Sequence, residues 1–427
     1  MAPPFLYRVW VALSAVLLPF AARTEVHKLQ KAGLTTARAH EKLGHATAGR
    51  PKGGPLIWFH GASVGESLSV LALITRLGTA LPQAHFLITS GTATSARLIA
   101  SRLPPRTIHQ FAPLDAAGPL KRFLDHWQPD AAIFVESELW PQMLRRTHAR
   151  GARMALVNAR LSEKSRARWA SRPNFARFVL EVFDLILTQN DEMAGAMVAM
   201  NAPADRVARG VNLKSMAGAL PIDQDLLFEA RASLGHRPVW VASSTHEGEE
   251  AAVLAAHSTL LQSLPDLCLI LAPRHPERGD DVAALIADAG LSATRRTHGD
   301  APGAQVFLAD TMGELGAWYA LTDLVFLGGS LRPIGGHNPF EVAHAGAIVL
   351  AGPHVPAFAE TYAEMNAAGA AITVADEAAL TASLDSLLTD DTRREAAGAA
   401  SKAFANRQTN TLDQIAARLI QALELAK

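Results

Sequence analysis

The segment Leu56 to Glu66, LIWFHGASVGE, constrains the fold more than any other part of the sequence. Its first four residues form a short apolar run, which is typical of a strand in a parallel sheet covered on both faces. A turn of small residues follows, and apolar residues then recur at helical spacing as far as Leu77. The pattern predicts a buried strand, a tight turn and a helix that opens near Gly65.

Glu66 lies at the carboxyl end of this predicted strand, which is the edge of an open α/β sheet where ligands bind. An acidic residue in the first turn of a helix also has a purely structural explanation, since it complements the helix dipole. The turn from Gly61 to Gly65 favours a functional role, because its small side chains would let a ligand approach the carboxylate.

The alternation of apolar runs and helix-length segments continues through both halves of the chain. It predicts parallel, doubly wound sheets, and 427 residues suffice for two α/β domains of about 150–200 residues each. The predicted strands are Leu56–Phe59, His85–Ser90, Thr107–Phe111, Ala131–Val135, Arg153–Val157 and Asp184–Gln189, and then Val239–Ser243, Leu267–Leu271, Val306–Leu308, Leu324–Leu327, Ala347–Ala351 and Ala371–Val374.

The alternating pattern lapses between Gly210 and Asp223, which predicts a linker between two domains. The pattern predicts, in order, an apolar N-terminal segment over residues 1–22, a basic helical connector over 23–54, a first doubly wound domain over 55–215, a linker over 216–224, a second doubly wound domain over 225–400 and a C-terminal helix over 401–427.

Charge and cysteine content exclude several classes of function. The 40 Lys and Arg residues balance the 40 Asp and Glu residues, so no net basic field recruits nucleic acid. The only cysteine, Cys268, lies in an apolar run and is predicted to be a buried strand residue, which leaves neither a disulfide within the chain nor a cysteine-based metal site. The 16 histidines show no metal-binding spacing such as HExxH, and a DxD-type signature is not evident.

The N-terminus from Pro4 to Ala22 is apolar apart from Arg8 and is close to the shortest length that spans a bilayer. Three interpretations compete: a membrane anchor, a cleaved signal peptide and a buried helix. The small residues at its end suit a signal peptide, whereas the basic residues between Arg23 and Lys42 would keep this flank in the cytoplasm. We favour an anchor or an interfacial helix, with the globular body in the cytosol.

Acidic residues follow two predicted strands of the first half. Glu66 follows one strand, and Glu136 and Glu138, in the motif ESELWP, follow another. Each alone could simply cap a helix. Together, at the ligand-binding edge of one sheet, they suggest a general base with a second acid that orients it or tunes its pKa.

The second half carries residues suited to a phosphate and a ribose. The segment from Gly335 to Pro339, GGHNP, offers backbone amides at a predicted helix start with proline in the first turn, an arrangement that binds phosphate, although Gly and Asn also form ordinary turns. Arg274 adds a cation after its strand. Glu341, about one turn into the helix, could accept hydrogen bonds from ribose hydroxyls. These residues predict a nucleotide-sugar site.

Taken in chain order, seven motifs resemble those of the 3-deoxy-D-manno-octulosonic acid (Kdo) transferases of lipopolysaccharide synthesis. The motifs are HGASVGE, ESELWP, LVNARLSEKSRARW, SSTHEGEE, APRHPER, TMGEL and GGSLRPIGGHNPFE. The resemblance runs from about Pro51 to Tyr362, and the apolar N-terminus is also similar to the anchor of that family.

The resemblance implies an α/β fold of the glycosyltransferase B type, in which two Rossmann-like doubly wound domains face each other across a cleft. An N-terminal membrane-anchor helix would precede the two domains. It implies an inverting transfer of Kdo from CMP-Kdo to the lipid A precursor, lipid IVA, at the cytoplasmic face of the inner membrane. The first domain would bind the acceptor and the second the donor. No metal and no other cofactor would be needed.

The resemblance also implies roles for individual residues. Glu66 matches the proposed general base, and Glu136 and Lys214 match positions credited with supporting the transition state. Lys214 would also suit the carboxylate of the donor. The positions that match the CMP-binding segments are Pro273, Arg274, Met312, Gly313, Glu314, Asn338, Pro339, Phe340 and Glu341.

The sequence departs from the family pattern at two places. The family usually follows the lysine of the NLK motif with an aromatic residue and Asp, whereas this chain has Ser215 and Met216 after Lys214. Gly61 stands where Ala is frequent. Two other classes remain as alternatives: a two-domain glycosyltransferase that uses a UDP-sugar, and a nucleotide-sensing protein without catalysis, which would have no need of Glu66 together with Glu136.

Overall fold

The computed structural model describes residues 2–100, 102–213 and 220–426, apart from the side chains at positions 408 and 409. The chain divides into two compact units, residues 1–216 with 410–427 and residues 217–409. Each unit is built around a seven-stranded sheet, and all pairings among the described strands are parallel. The predicted pair of parallel α/β sheets is therefore confirmed.

The first unit contains helices α1–α10 and strands β1–β7. Their bounds are α1 Phe5–Lys31, α2 Thr36–Ala39, β1 Leu56–His60, α3 Val64–Ser69, α4 Leu71–Ala80, β2 His85–Ser90, α5 Ala93–Ala100, β3 Thr107–Phe111, α6 Ala117–Trp127, β4 Ala131–Val135, α7 Pro141–His148, β5 Arg153–Ala159, α8 Glu163–Ala170, α9 Pro173–Leu180, β6 Leu185–Thr188, α10 Asp191–Ala199 and β7 Val207–Arg209.

The first sheet has the strand order β3-β2-β1-β4-β5-β6-β7. The order reverses between β1 and β4, which lie side by side although two strands separate them in sequence. Such a reversal opens a crevice at the carboxyl ends of the strands in doubly wound folds. His60, the last residue of β1, pairs with Phe134 of β4, so the turns after these two strands begin beside each other.

Strand β1 is buried on both faces, as its continuous apolar sequence predicts. Alternate side chains enter different cores. Trp58 packs against Phe123 with 4.8 Å between ring centroids on one face, whereas Phe59 packs 6.4 Å from Phe86 on the other. Burial of each such aromatic side chain contributes about 1.5–3 kcal/mol, which fixes the strand that precedes the Glu66 turn.

The second unit contains helices α11–α17, most of α18, and strands β8–β14. Their bounds are α11 Gln224–Leu234, β8 Val239–Thr245, α12 Glu250–Leu260, β9 Cys268–Pro273, α13 Gly279–Asp288, β10 Ala293–Arg295, β11 Val306–Leu308, α14 Leu315–Tyr319, β12 Leu324–Leu327, α15 Phe340–Ala345, β13 Ile348–Ala351, α16 Ala359–Ala367, β14 Ala371–Thr373, α17 Glu377–Thr389 and α18 Asp391–Ala422.

The second sheet has the order β10-β11-β9-β8-β12-β13-β14, and its order reverses between β8 and β12. The loops that follow these strands approach each other closely. A Cβ atom at Gly328, directly after β12, would lie only 2.5 Å from the carbonyl oxygen of Ser244 in β8. Glycine is therefore required for the two strand ends to meet.

Two strands and one helix break were not predicted. Strands β7 and β10 have three residues each and lie at the edges of their sheets, where a short segment gives no periodic signal. The helix after Gly65 divides into α3 and α4 at Val70. The Ser69 hydroxyl donates a hydrogen bond to the Glu66 carbonyl oxygen at 2.8 Å, and such local bonding disturbs helices.

The alanine-rich remainder from Glu377 to Lys427 was predicted to be helical, and it forms α17 and α18. Helix α18 begins at Asp391, ahead of the segment boundary placed at residue 401, and its residues lie in the cores of both units. Phe404 packs into the core of the second unit. Farther along, Leu412 and Leu419 are buried in the core of the first unit, in the cluster that also includes Leu73 and Leu77 of α4. The chain therefore returns to its first unit at its end.

Candidate active site

Glu66 is held in the turn between β1 and α3. The Ser63 hydroxyl accepts a hydrogen bond from the Glu66 backbone N–H at 3.2 Å and thereby caps α3. The same hydroxyl donates to Glu66 Oε1 at 3.0 Å, and the Ala62 N–H donates to Oε2 at 2.8 Å. A Cβ at Gly61 would lie 3.0 Å from the Glu66 Cβ, so glycine eases this tight turn. The carboxylate is partly exposed and fixed in direction.

Glu136 directly follows β4 and is buried. Its backbone has φ 55°, and Asn158 in β5 has the same value, a conformation that non-glycine residues rarely adopt and that costs about 1–3 kcal/mol each. Asn158 Nδ2 donates to Glu136 Oε1 at 3.2 Å, and Asn158 Oδ1 accepts from the Leu213 N–H at 3.1 Å. Asn158 thus ties Glu136 to the residue that precedes Lys214.

Glu138 is buried and belongs to a chain of hydrogen bonds that begins inside the sheet. Trp58 Nε1 donates to the Thr89 hydroxyl at 2.8 Å, and Thr89 Oγ1 lies 2.9 Å from His60 Nδ1. His60 Nε2 lies 3.1 Å from Glu138 Oε2, which also accepts from Trp140 Nε1 at 2.6 Å. Because a carboxylate only accepts, His60 must carry its proton on Nε2.

The charges of Glu138 and Glu136 act on the carboxyl group of Glu66. Burial raises the pKa of Glu66, and the negative charges of Glu138 and Glu136 raise it further, against the opposing hydrogen bond from Ser63. Burial also acts to raise the pKa of Glu138, but the interaction with His60 and the hydrogen bond from the Trp140 N–H outweigh burial and hold that pKa below its ordinary value. The arrangement pairs one carboxyl that accepts a proton readily with one that stays ionised, the division expected of a base and its partner.

The predicted site residue Lys214 lies outside the described residues, as do Ser215 and Met216. Sequence analysis identified Glu66, Glu136 and Glu138 but missed His60, Thr89 and Asn158. His60 could have been recognised as a polar residue that ends a strand of apolar residues, LIWFH. The bonding partners of Thr89 and Asn158 are distant in sequence, so no local pattern reveals them.

In the second unit, Glu249 holds together the loops that follow β8 and β12. Its carboxylate is fully buried and accepts four backbone hydrogen bonds. The N–H groups of His246 and Gly329 donate to Oε2 at 3.0 and 2.7 Å, and those of Ser330 and Leu331 donate to Oε1 at 2.9 and 2.8 Å. Sequence analysis noted the motif SSTHEGEE but assigned no role to this acid.

Arg274 and two histidines, His246 and His337, gather around the same strand ends. Pro273 is the last residue of β9 and Arg274 is exposed directly after it. The rings of His246 and His337 are stacked, with 5.2 Å between centroids and 2.9 Å between their Nε2 atoms. Burial, together with the neighbouring positive groups that include Arg274, lowers the pKa of both rings and brings that of His337 to about 4. At neutral pH the rings are uncharged and Arg274 supplies the cation.

The other predicted donor-site residues occupy two separate loops. In the loop after β11, Met312 is 70% exposed, whereas the Glu314 carboxylate is bound by Arg296 at 2.9 Å and accepts a hydrogen bond from the Thr311 hydroxyl. Gly313 between them has φ 89°, in the left-handed region that favours glycine. The Glu314 carboxylate is therefore held in an ion pair with Arg296.

In the segment Asn338–Glu341, the helix begins later than the sequence predicted. Helix α15 has six residues and begins at Phe340, so Pro339 is its cap and does not lie in its first turn. The reason is local: Asn338 Oδ1 accepts the Phe340 N–H at 3.1 Å and uses one of the amides that the helix start would offer. Phe340 is buried and its ring stacks on that of Phe404. Burial raises the pKa of Tyr319, and the charge of Glu341 makes a smaller contribution to the same increase. The Tyr319 hydroxyl lies 2.8 Å from the hydroxyl of Ser243.

A family model described as 3-deoxy-D-manno-octulosonic-acid transferase (kdotransferase) matches residues 37–217. A 3-deoxy-D-manno-octulosonic acid transferase of Bordetella pertussis is 34% identical over 379 residues, which cover 84% of this chain and 85% of that protein. One of Haemophilus influenzae is 32% identical over 325 residues, 75% of each chain. This chain belongs to the Kdo transferase family.

A Kdo transferase of Rickettsia felis is 36% identical over 300 residues, which cover 70% of this chain but only 64% of that relative. Among solved structures, a glycosyltransferase from Rickettsia africae has a TM-score of 0.57 at 12% identity, and the alignment covers 88% of this chain and 99% of that one. Anabaena HepE in complex with UDP has a TM-score of 0.52 at 14% identity, covering 86% and 100%. At these identities the solved structures establish the fold alone. This member of the Kdo transferase family has a fold of the glycosyltransferase B type.

Proposed function

We propose that this member of the Kdo transferase family transfers Kdo from CMP-Kdo to the lipid A precursor, lipid IVA, in lipopolysaccharide synthesis. The observation that carries the proposal is the group of three carboxylates, Glu66, Glu136 and Glu138, at the strand-order reversal of the first sheet. In a chain of this family, that group supplies the acid–base chemistry that glycosyl transfer needs.

Glu66 is proposed as the general base. A sugar hydroxyl is a weak acid, so a carboxylate that takes its proton as the new C–O bond forms lowers the barrier, typically by 10²–10⁴-fold. The raised pKa of Glu66 makes it a stronger proton acceptor, and its bonds to Ala62 and Ser63 fix its direction. The hydroxyl oxygen attacks the anomeric carbon of Kdo from the side opposite CMP, which leaves with the bonding electron pair, so the configuration inverts.

Arg274 is proposed to bind the CMP phosphate. CMP leaves as a phosphate monoester, and an exposed guanidinium can neutralise the charge that develops on it. The uncharged histidines beside Arg274 offer hydrogen bonds without adding charge. Glu341 is proposed to accept hydrogen bonds from the ribose hydroxyls, and Lys214 to bind the carboxylate of Kdo.

We further propose that the transfer needs no metal ion. Among the residues that the structure describes, no group of three or more His, Cys, Asp or Glu side chains is arranged to hold one. Helix α1 is long and apolar enough to cross a membrane, and we propose that it holds the enzyme at the cytoplasmic face of the inner membrane, where an acylated acceptor lies.

The decisive experiment incubates the full-length protein with CMP-Kdo and lipid IVA and follows the Kdo-containing lipid by mass spectrometry. We expect transfer with the unaltered protein, a loss of at least about 10²-fold with Glu66→Gln while CMP binding survives, and weaker CMP binding with Arg274→Ala. Near-normal turnover of Glu66→Gln would remove this residue from the mechanism.

Competition between CMP and UDP for the donor site separates the proposal from the alternative of a UDP-sugar transferase. We expect CMP to inhibit and UDP to have little effect. Preference for UDP would favour the alternative, and nucleotide binding without any transfer would favour a sensing protein.

A further inference from the structure

Helix α1 lies against the first unit along one face over nearly its whole length. The residues of this face recur every three or four positions, as one side of a helix does. They are more buried than their neighbours and comprise Tyr7, Trp10, Val11, Ser14, Leu18, Ala21, Ala22, Glu25, Val26 and Leu29.

Polar side chains of this face bond to residues of the folded body. Trp10 Nε1 donates to Asp115 Oδ2 at 2.7 Å, and Gln142 Nε2 donates to the Ser14 hydroxyl oxygen at 2.6 Å. Tyr7 packs edge-on against Phe178 with 5.0 Å between centroids. These contacts fix the N-terminal half of α1, the part that is apolar enough to enter a membrane.

Asp115 and Gln142, the hydrogen-bond partners of α1, cannot enter the hydrocarbon layer of a membrane together with the helix. Asp115 Oδ1 also accepts the Met143 N–H at 2.6 Å, and Gln142 Nε2 also donates to the Asp115 carbonyl oxygen at 3.0 Å, so both belong to the hydrogen-bonded frame at the start of α7. A carboxylate inside the bilayer costs several kcal/mol. Freeing α1 would instead break the bonds of Trp10 and Ser14 to partly buried groups.

The opposite face of α1 is an apolar ridge. Its exposed members run from Phe5 to Phe20, about 24 Å along the helix, and comprise Phe5, Leu6, Val9, Leu13, Val16, Leu17 and Phe20. Arg8 is exposed beside the ridge. On the other side of the helix, Tyr7 lies near Arg146 and near Arg145, which is ion-paired with Glu181 at 3.1 Å.

We infer that α1 does not cross the bilayer but lies in the plane of its surface, with the apolar ridge among the lipids and the Tyr7–Ser14 face on the protein body. A crossing helix needs lipid or protein of matching depth on all sides, whereas α1 has a polar protein body along one side. An apolar ridge with the exposed Arg8 beside it matches a surface of anionic lipids. This inference rests on the proposed membrane location but not on the reaction.

Side-specific labelling tests the orientation. Ala2→Cys, Gln30→Cys and, as a marker of the body, Glu247→Cys are each placed in the full-length protein, whose own Cys268 is fully buried and gives little background. The protein is bound to vesicles of phosphatidylethanolamine and phosphatidylglycerol and treated with a thiol reagent that does not cross membranes. We expect the three cysteines to react from the same side. Protection of Ala2→Cys until the vesicles are opened would overturn the inference.

Substitution of the ridge tests its contact with lipid. Phe5→Ser with Phe20→Ser removes two rings that are 77% and 74% exposed, and Phe228→Ser, on a ring that is 76% exposed in the second unit, is the matched control. We expect the double variant to bind the vesicles about tenfold or more weakly and the control to bind normally. If the double variant and the Phe228→Ser control bound the vesicles equally well, the ridge would not be the surface that contacts lipid.

The outcomes separate this inference from the proposed function. Active protein whose Ala2→Cys is protected would overturn the in-plane helix and leave Kdo transfer standing. Inactive protein with all three cysteines labelled from one side would overturn the transfer and leave the in-plane helix standing. Failure of the full-length protein to bind any vesicle would overturn both the membrane location and the inference.

Discussion

Glu66 owes its position to the turn that carries it. Its carboxylate is bound by the backbone of Ala62 and the hydroxyl of Ser63, which keep it at the strand edge instead of letting it turn towards solvent. Both bonds favour the ionised form, yet burial and the charges of Glu138 and Glu136 raise its pKa. The strength of Glu66 as a base therefore depends on its burial and on its acidic neighbours.

Replacement of Glu138 by Gln should shift the pH dependence of transfer. The base is active when ionised, and its raised pKa places the acid limb of kcat/KM above the ordinary Glu value of 4.5. Removal of the Glu138 charge lowers the pKa of Glu66, so we expect the limb to move to lower pH. Glu163→Gln, at an exposed position, should leave the profile unchanged. A limb that stays in place in Glu138→Gln would show that another group titrates.

His60 should act through the proton on its Nε2. His60→Gln can present an N–H near that atom, whereas the shorter His60→Asn cannot reach Glu138 in the same way. We expect His60→Asn to lower kcat about tenfold with little change in KM, and His60→Gln to recover most of the loss. Steady-state kinetics distinguish the two. Equal losses in both variants would mean that the imidazole ring itself is needed.

The residues of the site differ in how far the sequence reveals them. Glu66, Glu136 and Glu138 follow apolar runs, and a carboxylate after a strand is visible in sequence. The His60–Thr89 contact and the Asn158–Leu213 bond join residues 29 and 55 positions apart. Such contacts depend on strand order, which the alternating pattern alone does not specify.

At the level of elements, the sequence predicts strands better than helix ends. Strands β2, β3, β4, β11 and β12 have the predicted bounds, because a short apolar run between turn residues leaves little choice of limits. Helix α15 begins later than predicted because the Asn338 side chain takes over an amide. Helix ends depend on such single hydrogen bonds, which periodicity does not encode.

The loops after β8 and β12 should depend on Glu249. Glu249→Gln replaces one acceptor oxygen by an amide that faces backbone N–H groups, so two of the four hydrogen bonds are lost. We expect the free energy of unfolding of the second unit to fall by roughly 3 kcal/mol. Amide hydrogen exchange at residues 329–331 should become faster. Glu247→Gln, an exposed neighbour, should change neither quantity.

At the scale of the whole molecule, the restart of the alternating pattern after residue 223 predicted a second parallel sheet, and the structure contains one. The return of the C-terminus was not evident. The apolar residues of α18 recur at helical spacing in both its halves, and nothing in that pattern says which sheet each half covers. Helix periodicity identifies a buried face but not the partner of that face.

Leu419→Ala should destabilise the first unit, although α18 begins in the second. Leu419 is fully buried in the same core cluster as Leu73 and Leu77, and removal of such a side chain costs about 2–5 kcal/mol. Hydrogen exchange in denaturant should show earlier opening of β1 and β4, with β8 and β12 unaffected. Gln414→Ala, exposed on the same helix, is the control. Opening of the second sheet instead would contradict the assignment.

The position of the last helix has a consequence for synthesis on the ribosome. The sheet that carries Glu66 is translated first, but Leu412, Leu419 and Leu423, which complete one of the cores of that unit, are among the last residues to emerge. While the second unit is being synthesised, the first unit therefore lacks part of its core and exposes apolar surface. The second unit can complete its fold before the first, which is the reverse of the usual order in which N-terminal domains fold first. Ribosome-bound chains that end at residue 409 should be cleaved by protease within the first unit, and released full-length chains should resist.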